Sequence, residues 1–128
     1  MAKRQIIVGD DIPSHPQPFP TAVRIGNMIF SSAVNGRDAV NDVLPEDPAT
    51  QIAQAFENMR RIVERGGGDV GDIAKVVVHL ANRDDRALMN PVWVKMFPDE
   101  ADRPVRHTIA ANLPSKAIIQ LEFIAVIG

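Results

Sequence analysis

The stretch from Ile73 to Leu80, Ile-Ala-Lys-Val-Val-Val-His-Leu, is a nearly continuous apolar run. It is long enough for a central strand buried on both faces, and a strand of that kind belongs inside a sheet rather than at its margin. The rest of the chain has to supply the neighbours of that strand and the layers that cover it.

The segments on either side alternate between strand and helix without an internal repeat. Residues 4–9 read as a first strand. The loop after it carries Pro13, Pro16, Pro18 and Pro20, which suits neither a helix nor a central strand. Ala22 to Ile25 and Met28 to Val34 read as a hairpin turning at Gly26-Asn27. Asp47-Pro48 is a helix start, an N-cap followed by proline at the first helical position. Ile52, Ala55, Phe56, Met59, Ile62 and Val63 then recur at three- and four-residue steps along one apolar face. Gly66-Gly67-Gly68 closes that helix. As a phosphate loop the triplet lacks the Lys and Ser/Thr of a P-loop, and it follows a helix instead of a strand. A second helix is expected between Asp84 and Phe97, with Leu88/Met89, Val92/Trp93 and Met96/Phe97 four apart and Trp93, Met96 and Phe97 on its core face. Pro91 fits comfortably only in a first turn, so the regular part of this helix is expected to begin near Asn90. Val105 to Ala110 and Ala117 to Ile127 read as the last two strands. The order describes one α+β domain over residues 1–128, a six-stranded mixed sheet with both helices on one face.

Composition narrows the functional classes. The chain has 128 residues, 45% hydrophobic and 23% charged, within the ordinary range for a globular domain. Its net charge is −2, and its basic clusters do not exceed the pairs Lys3-Arg4 and Arg60-Arg61, so no nucleic-acid partner is expected. It contains no cysteine, which excludes disulfides, thiolate metal sites and a cysteine nucleophile. No histidine pair has metal-ligand spacing, and no metal is expected. The apolar runs fall far short of the ~20 residues that cross a bilayer, and the N-terminal residues do not read as a secretory signal. A cytoplasmic protein with no membrane partner is expected.

One charge stands out. Arg106 is the sole charged residue in the extended run from Pro104 to Pro114. A cation on a core strand needs an anion, and the guanidinium fork matches a carboxylate through two parallel hydrogen bonds. Pairing with Glu122 or an Asp at a strand edge and holding a ligand carboxylate both satisfy that need.

Pro18-Phe19, the segment from Val23 to Phe30, Gln54 with Asn58, and Val70-Gly71-Asp72-Ile73 form an ordered set with Met89-Asn90, Phe97, Pro104-Val105-Arg106, Leu113-Pro114 and Leu121-Glu122. In that order and spacing the chain resembles the reactive-intermediate deaminases, also called Rid or YjgF-like proteins, from roughly Pro18 to Val126. The resemblance implies a chorismate-mutase-like fold, a homotrimer with clefts between subunits, and hydrolysis of enamines or imines without a cofactor. It places Arg106 on the arginine that grips the substrate carboxylate, Ser32 on a family serine, and Asn90 on an asparagine near the cleft. An asparagine before Pro91 is equally an ordinary residue at the start of a helix.

The chain also departs from the family pattern. Phe19 stands where members with deaminase chemistry carry Tyr, Gln120 where they carry Glu, Thr108 where Cys is frequent, and Ala33 where Gly is usual. An ionised Glu accepts a proton from water, whereas Gln only orients water or donates from its amide. The expected site therefore has Arg106 and Gln120 as catalytic residues. Phe19, Ser32, Ala33, Asn90 and Thr108 form its substrate-binding lining, with backbone amides near Ala33 and Thr108 orienting the substrate. Glu122 shares a strand face with Gln120, and a structural role is expected for it. His107 should point away from Arg106, His79 reads as a core or interface histidine, and His15 lies in the loop before Phe19. Two functions follow: an imine or enamine deaminase for a small carboxylate-bearing metabolite, or a non-catalytic trimeric module that binds a keto acid. Ribonuclease activity, also described for the family, fits the acidic balance poorly.

Overall fold

The computed structural model describes residues 3–128. Two helices cover one face of a mixed sheet, in the chain order β1 (Gln5–Ile7), β2 (Ala22–Ile25), β3 (Met28–Ser31), β4 (Val34–Asn35), α1 (Pro48–Arg65), β5 (Ile73–Leu80), α2 (Arg86–Met96), β6 (Val105–Ala110) and β7 (Ile119–Val126). Across the sheet the strands run β1-β2-β3-β7-β5-β6, with β4 also on β7. The β5–β6 pair is parallel, and α2 makes the crossover between them. The other pairs are antiparallel.

The six expected sheet positions are present, but the strand read over 28–34 divides into β3 and β4. Phe30 pairs with Ile124 and Val34 with Leu121, so Ser31, Ser32 and Ala33 lie opposite only Glu122 and Phe123. The extra residue makes a bulge, and the Ser31 hydroxyl accepts from the Phe123 amide at 2.9 Å where a backbone carbonyl would otherwise stand. The hairpin turns at Gly26 with φ 59°, the positive angle that a II′ turn requires at its first central position.

The α1 helix follows its sequence signals. The Asp47 side chain accepts from the Thr50 amide at 3.0 Å, and Pro48 follows it. The predicted apolar face is buried, from Ile52 to Val63. Gln51 and Asn58 lie on the same face and are 1% and 0% exposed, which polar side chains tolerate only when every group is paired. Gln51 donates to the carbonyls of Pro45 and Lys116 and accepts from the Ile118 amide at 2.7 Å. Asn58 donates to the carbonyls of Asn35 and Arg37 and accepts from Gln54. These bonds fasten α1 to β4 and to the approach of β7. Gln51→Leu keeps the volume and orphans these partners. It is expected to lower the unfolding free energy by about 1–3 kcal/mol, read from a shifted denaturant midpoint.

Two expectations are corrected. The regular part of α2 begins at Arg86, preceded by a 3₁₀ turn over Arg83–Asp85, and Pro91 sits inside the helix. The missing donor of Pro91 deprives the Ala87 carbonyl of its helical partner, and Ala87 is exposed, so water can serve that carbonyl. The second correction concerns β5, which this single chain buries on one face only. Ile73, Val76, Val78 and Leu80 are buried against the helices, while Val77 and His79 are half-buried and Lys75 is exposed. A bulge at Ala74 shifts the alternation and puts both Ile73 and Val76 on the helix side. The opposite face carries Ile6, Val23, Phe30 and Ile124 in one cross-strand row. Among the described residues no helix is long and apolar enough to cross a membrane.

Candidate active site

Arg106 lies on β6, the edge strand beside β5. It pairs in register with Val76, which pairs with Phe123, and both of those are buried on the helix side. Its guanidinium therefore reaches toward α2, where its carbon stands 5.0 Å from the centre of the Trp93 ring. Trp93 is braced by Phe97, with ring centres 4.7 Å apart, and by the edge of Phe56 at 6.3 Å. A guanidinium over an aromatic face is attracted to the ring while its N–H groups stay available to a ligand.

The pairing with Glu122 or an Asp does not occur. Glu122 projects from the other face of the sheet, in the row that runs through Val77 to His107. Among the described residues the Arg106 guanidinium has neither an ion-pair partner nor a hydrogen-bond acceptor. Partial burial holds its pKa below the usual arginine value, with a further contribution from the nearby positive charge of Arg86. Among the described residues, the half-buried cation thus rests on an aromatic support with no anion paired to it.

Thr108, two residues along β6, shares the helix-side face and is half-buried. Asn90 is exposed on α2. Arg86, Asn90 and Trp93 follow one another at four- and three-residue spacing, so one stripe of α2 carries all three.

The other expected residues lie elsewhere. Gln120 pairs with His79 on β5 and Asn35 on β4, and its side chain leaves the sheet on the face away from the helices. Arg106 and Gln120 of one chain are thus on opposite faces. On the Gln120 side of the sheet, Ile6, Val23 and Phe30 join Arg4, Pro20 and Ser32 around a groove of about 500 Å³. The Ser32 hydroxyl and amide both donate to the Thr21 carbonyl, at 2.9 and 2.8 Å. Ala33 is exposed in the bulge. Phe19, just before Pro20, is 52% exposed and stacks against His15 with ring centres 4.3 Å apart. His107 is exposed and faces away from Arg106, as the alternation predicts. The candidate residues form two groups: Arg106, Thr108 and Asn90 on one side, Ser32 and Gln120 on the other. Among the described residues no group of acidic and histidine side chains is placed to hold a metal.

The sequence reading assigned Trp93 to the core alone and missed both its service as the bed of Arg106 and the proximity of Arg86. The 86-90-93 spacing along α2 was the available signal.

A family model described as Endoribonuclease L-PSP matches residues 11–127. The 2-iminobutanoate/2-iminopropanoate deaminase of Escherichia coli K12 is 33% identical over 122 residues, covering 94% of this chain and 95% of that protein. The crystal structure of RidA from an Antarctic Psychrobacter superposes with a TM-score of 0.90 at 31% identity, over 97% of this chain and all of the other. TdcF of Escherichia coli, solved with bound serine, superposes with a TM-score of 0.90 at 28% identity, over 97% of this chain and 99% of that one.

Proposed function

The chain belongs to the Endoribonuclease L-PSP family, which includes the Rid and YjgF-like proteins, and from that premise we propose that it hydrolyses small 2-imino or enamine acids to keto acids and ammonia. The observation that carries the reading is Arg106, a cation over the Trp93 ring that has no ion-pair partner among the described residues. A substrate carboxylate completes it with two parallel charged hydrogen bonds. The deaminase name of the Escherichia coli relative and the serine bound to TdcF, a small molecule with a carboxylate, support the same class of ligand.

The chemistry asks little of the protein. An imine carbon next to a carboxylate is electrophilic, so catalysis consists of holding the acid and directing water onto that carbon. The water oxygen bonds to carbon as the imine nitrogen takes a proton. The carbinolamine then loses ammonia as its C–N bond breaks and the keto group forms. Arg106 fixes the carboxylate, Thr108 and Asn90 line the same side, and the Gln120 amide oxygen accepts a hydrogen bond from the attacking water.

Arg106 and Gln120 of one chain lie on opposite faces, so the reading requires the clefts to form between copies. One chain supplies Arg106 and its neighbour supplies Gln120, Ser32, Ala33 and Phe19. The uncovered apolar row from Ile6 to Ile124 is the kind of surface that a neighbouring subunit covers, and a homotrimer is the assembly proposed. Cleavage of RNA has less support. Arg60 and Arg61 are tied to Glu57 on the surface of α1 and do not form a free basic track.

The test is keto-acid release from imines generated in place by an amino-acid oxidase, measured against spontaneous hydrolysis. Gln120→Glu is expected to raise kcat at least ~10-fold, part of the ~10²–10⁴ that a positioned general base contributes. A wild type no faster than the uncatalysed reaction sinks the deaminase reading in favour of a module that only holds the acid. An active wild type with an unimproved Gln120→Glu variant removes Gln120 from the water's position.

A further inference from the structure

The stripe of α2 that carries Trp93 and Asn90 also carries Arg86, one turn before Asn90, in the first helical position. Arg86 is exposed and, among the described residues, has no carboxylate within ion-pair distance. Asp84 and Asp85 precede it directly in the chain, but neither pairs with it, and the side chain of Asp85 does not cap the helix. Two arginines from different elements thus stand at one end of the proposed site, Arg106 from β6 over the Trp93 ring and Arg86 from α2 on the stripe that carries Asn90 and Trp93. Burial first, and then the positive charge of Arg86, lower the pKa of Arg106. Like charges placed together without an acid cost stability, and a ligand with two anionic groups relieves that cost better than a ligand with one.

We propose that Arg86 is a specificity-determining residue that reads a second anionic group, so that the preferred substrates are 2-imino dicarboxylates rather than simple 2-imino monocarboxylates. Arg106 takes the carboxylate next to the reacting carbon, and Arg86 takes the distal one. A monocarboxylate leaves the Arg86 charge unanswered. This inference rests on the imine-hydrolase reading for its chemistry, while the two-cation geometry also stands for binding alone.

The experiment compares 2-iminoglutarate, formed by a glutamate oxidase, with 2-iminobutanoate in wild type, Arg86→Ala and Arg86→Lys. Calorimetric binding of 2-oxoglutarate and 2-oxobutanoate runs alongside. In the wild type, kcat/KM is expected to favour the dicarboxylate. In Arg86→Ala that preference falls by roughly tenfold, the scale of one charge-assisted hydrogen-bonded pair, and Arg86→Lys recovers a large part of it. Turnover of both imines with a selectivity that ignores Arg86 overturns this inference and leaves the deaminase reading intact. If neither imine is consumed but 2-oxoglutarate binds in an Arg86-dependent way, the two-cation site stands and hydrolysis falls. Loss of the oligomer in Arg86→Ala, without any change in the ratio of the two keto acids bound, assigns Arg86 to a contact between copies and overturns the proposal.

Discussion

Arg106→Ala is expected to lower kcat/KM for imine hydrolysis by roughly 10²–10⁴, because two charge-assisted hydrogen bonds at ~1.5–3 kcal/mol each disappear from a shielded edge. The variant should fold normally. Arg106 is only half-buried and makes no hydrogen bond to the protein, so its removal orphans no acceptor. Arg106→Lys keeps the charge but loses the planar fork and the fit to the Trp93 ring, and an intermediate loss is expected. Steady-state kinetics with an oxidase-generated imine, alongside a circular-dichroism melt, separates these effects. Undiminished turnover by Arg106→Ala would move the carboxylate site elsewhere in the molecule.

Phe56→Ala should be the most damaging core change near the site, with a loss of about 3–5 kcal/mol in unfolding free energy. Phe56 is 1% exposed, lies on the core face of α1 and meets the Trp93 ring edge-on at an interplanar angle of 84°. Its removal leaves a cavity where α1 and α2 join and takes away the wall behind Trp93. The two variants should therefore separate cleanly. Arg106→Ala costs activity at nearly constant melting temperature, whereas Phe56→Ala costs melting temperature first and activity through misplacement of Trp93 and Arg106. Equal melting midpoints for wild type and Phe56→Ala would contradict the packing described here.

Much of the fold was legible because its signals are local. Asp47-Pro48, the three- and four-residue recurrence from Ile52 to Val63 and the glycines after Arg65 fix α1 within its own segment. The division of 28–34 was not legible, since a bulge is a relation between two strands and depends on which residues of β7 stand opposite. Pro91 misled for a related reason. Its local penalty was real, but Met89, Trp93 and Phe97 bury enough apolar surface to carry the helix through it. Gln51 and Asn58 were readable in principle, seven residues apart on the apolar face. Their partners include Asn35 of β4 and Lys116 and Ile118 at the approach to β7, which no period along α1 reveals. Within the site, alternation correctly turned His107 away from Arg106. The relation of Arg106 to Gln120 required the register across β6, β5 and β7, which only the folded sheet supplies.

The placement of Arg106 and Gln120 on opposite faces has a consequence for inheritance. Under the proposed ring each chain serves two clefts, giving its arginine to one and its glutamine to the next. A chain that folds and assembles but carries a fault at one of these residues disables one of its two clefts and still completes the other. Two alleles faulty at different residues, one at Arg106 and the other at Gln120, should therefore complement, because a mixed ring joins the arginine of one chain to the glutamine of the other. A fault that keeps the chain from folding withdraws its product from the ring and should complement neither.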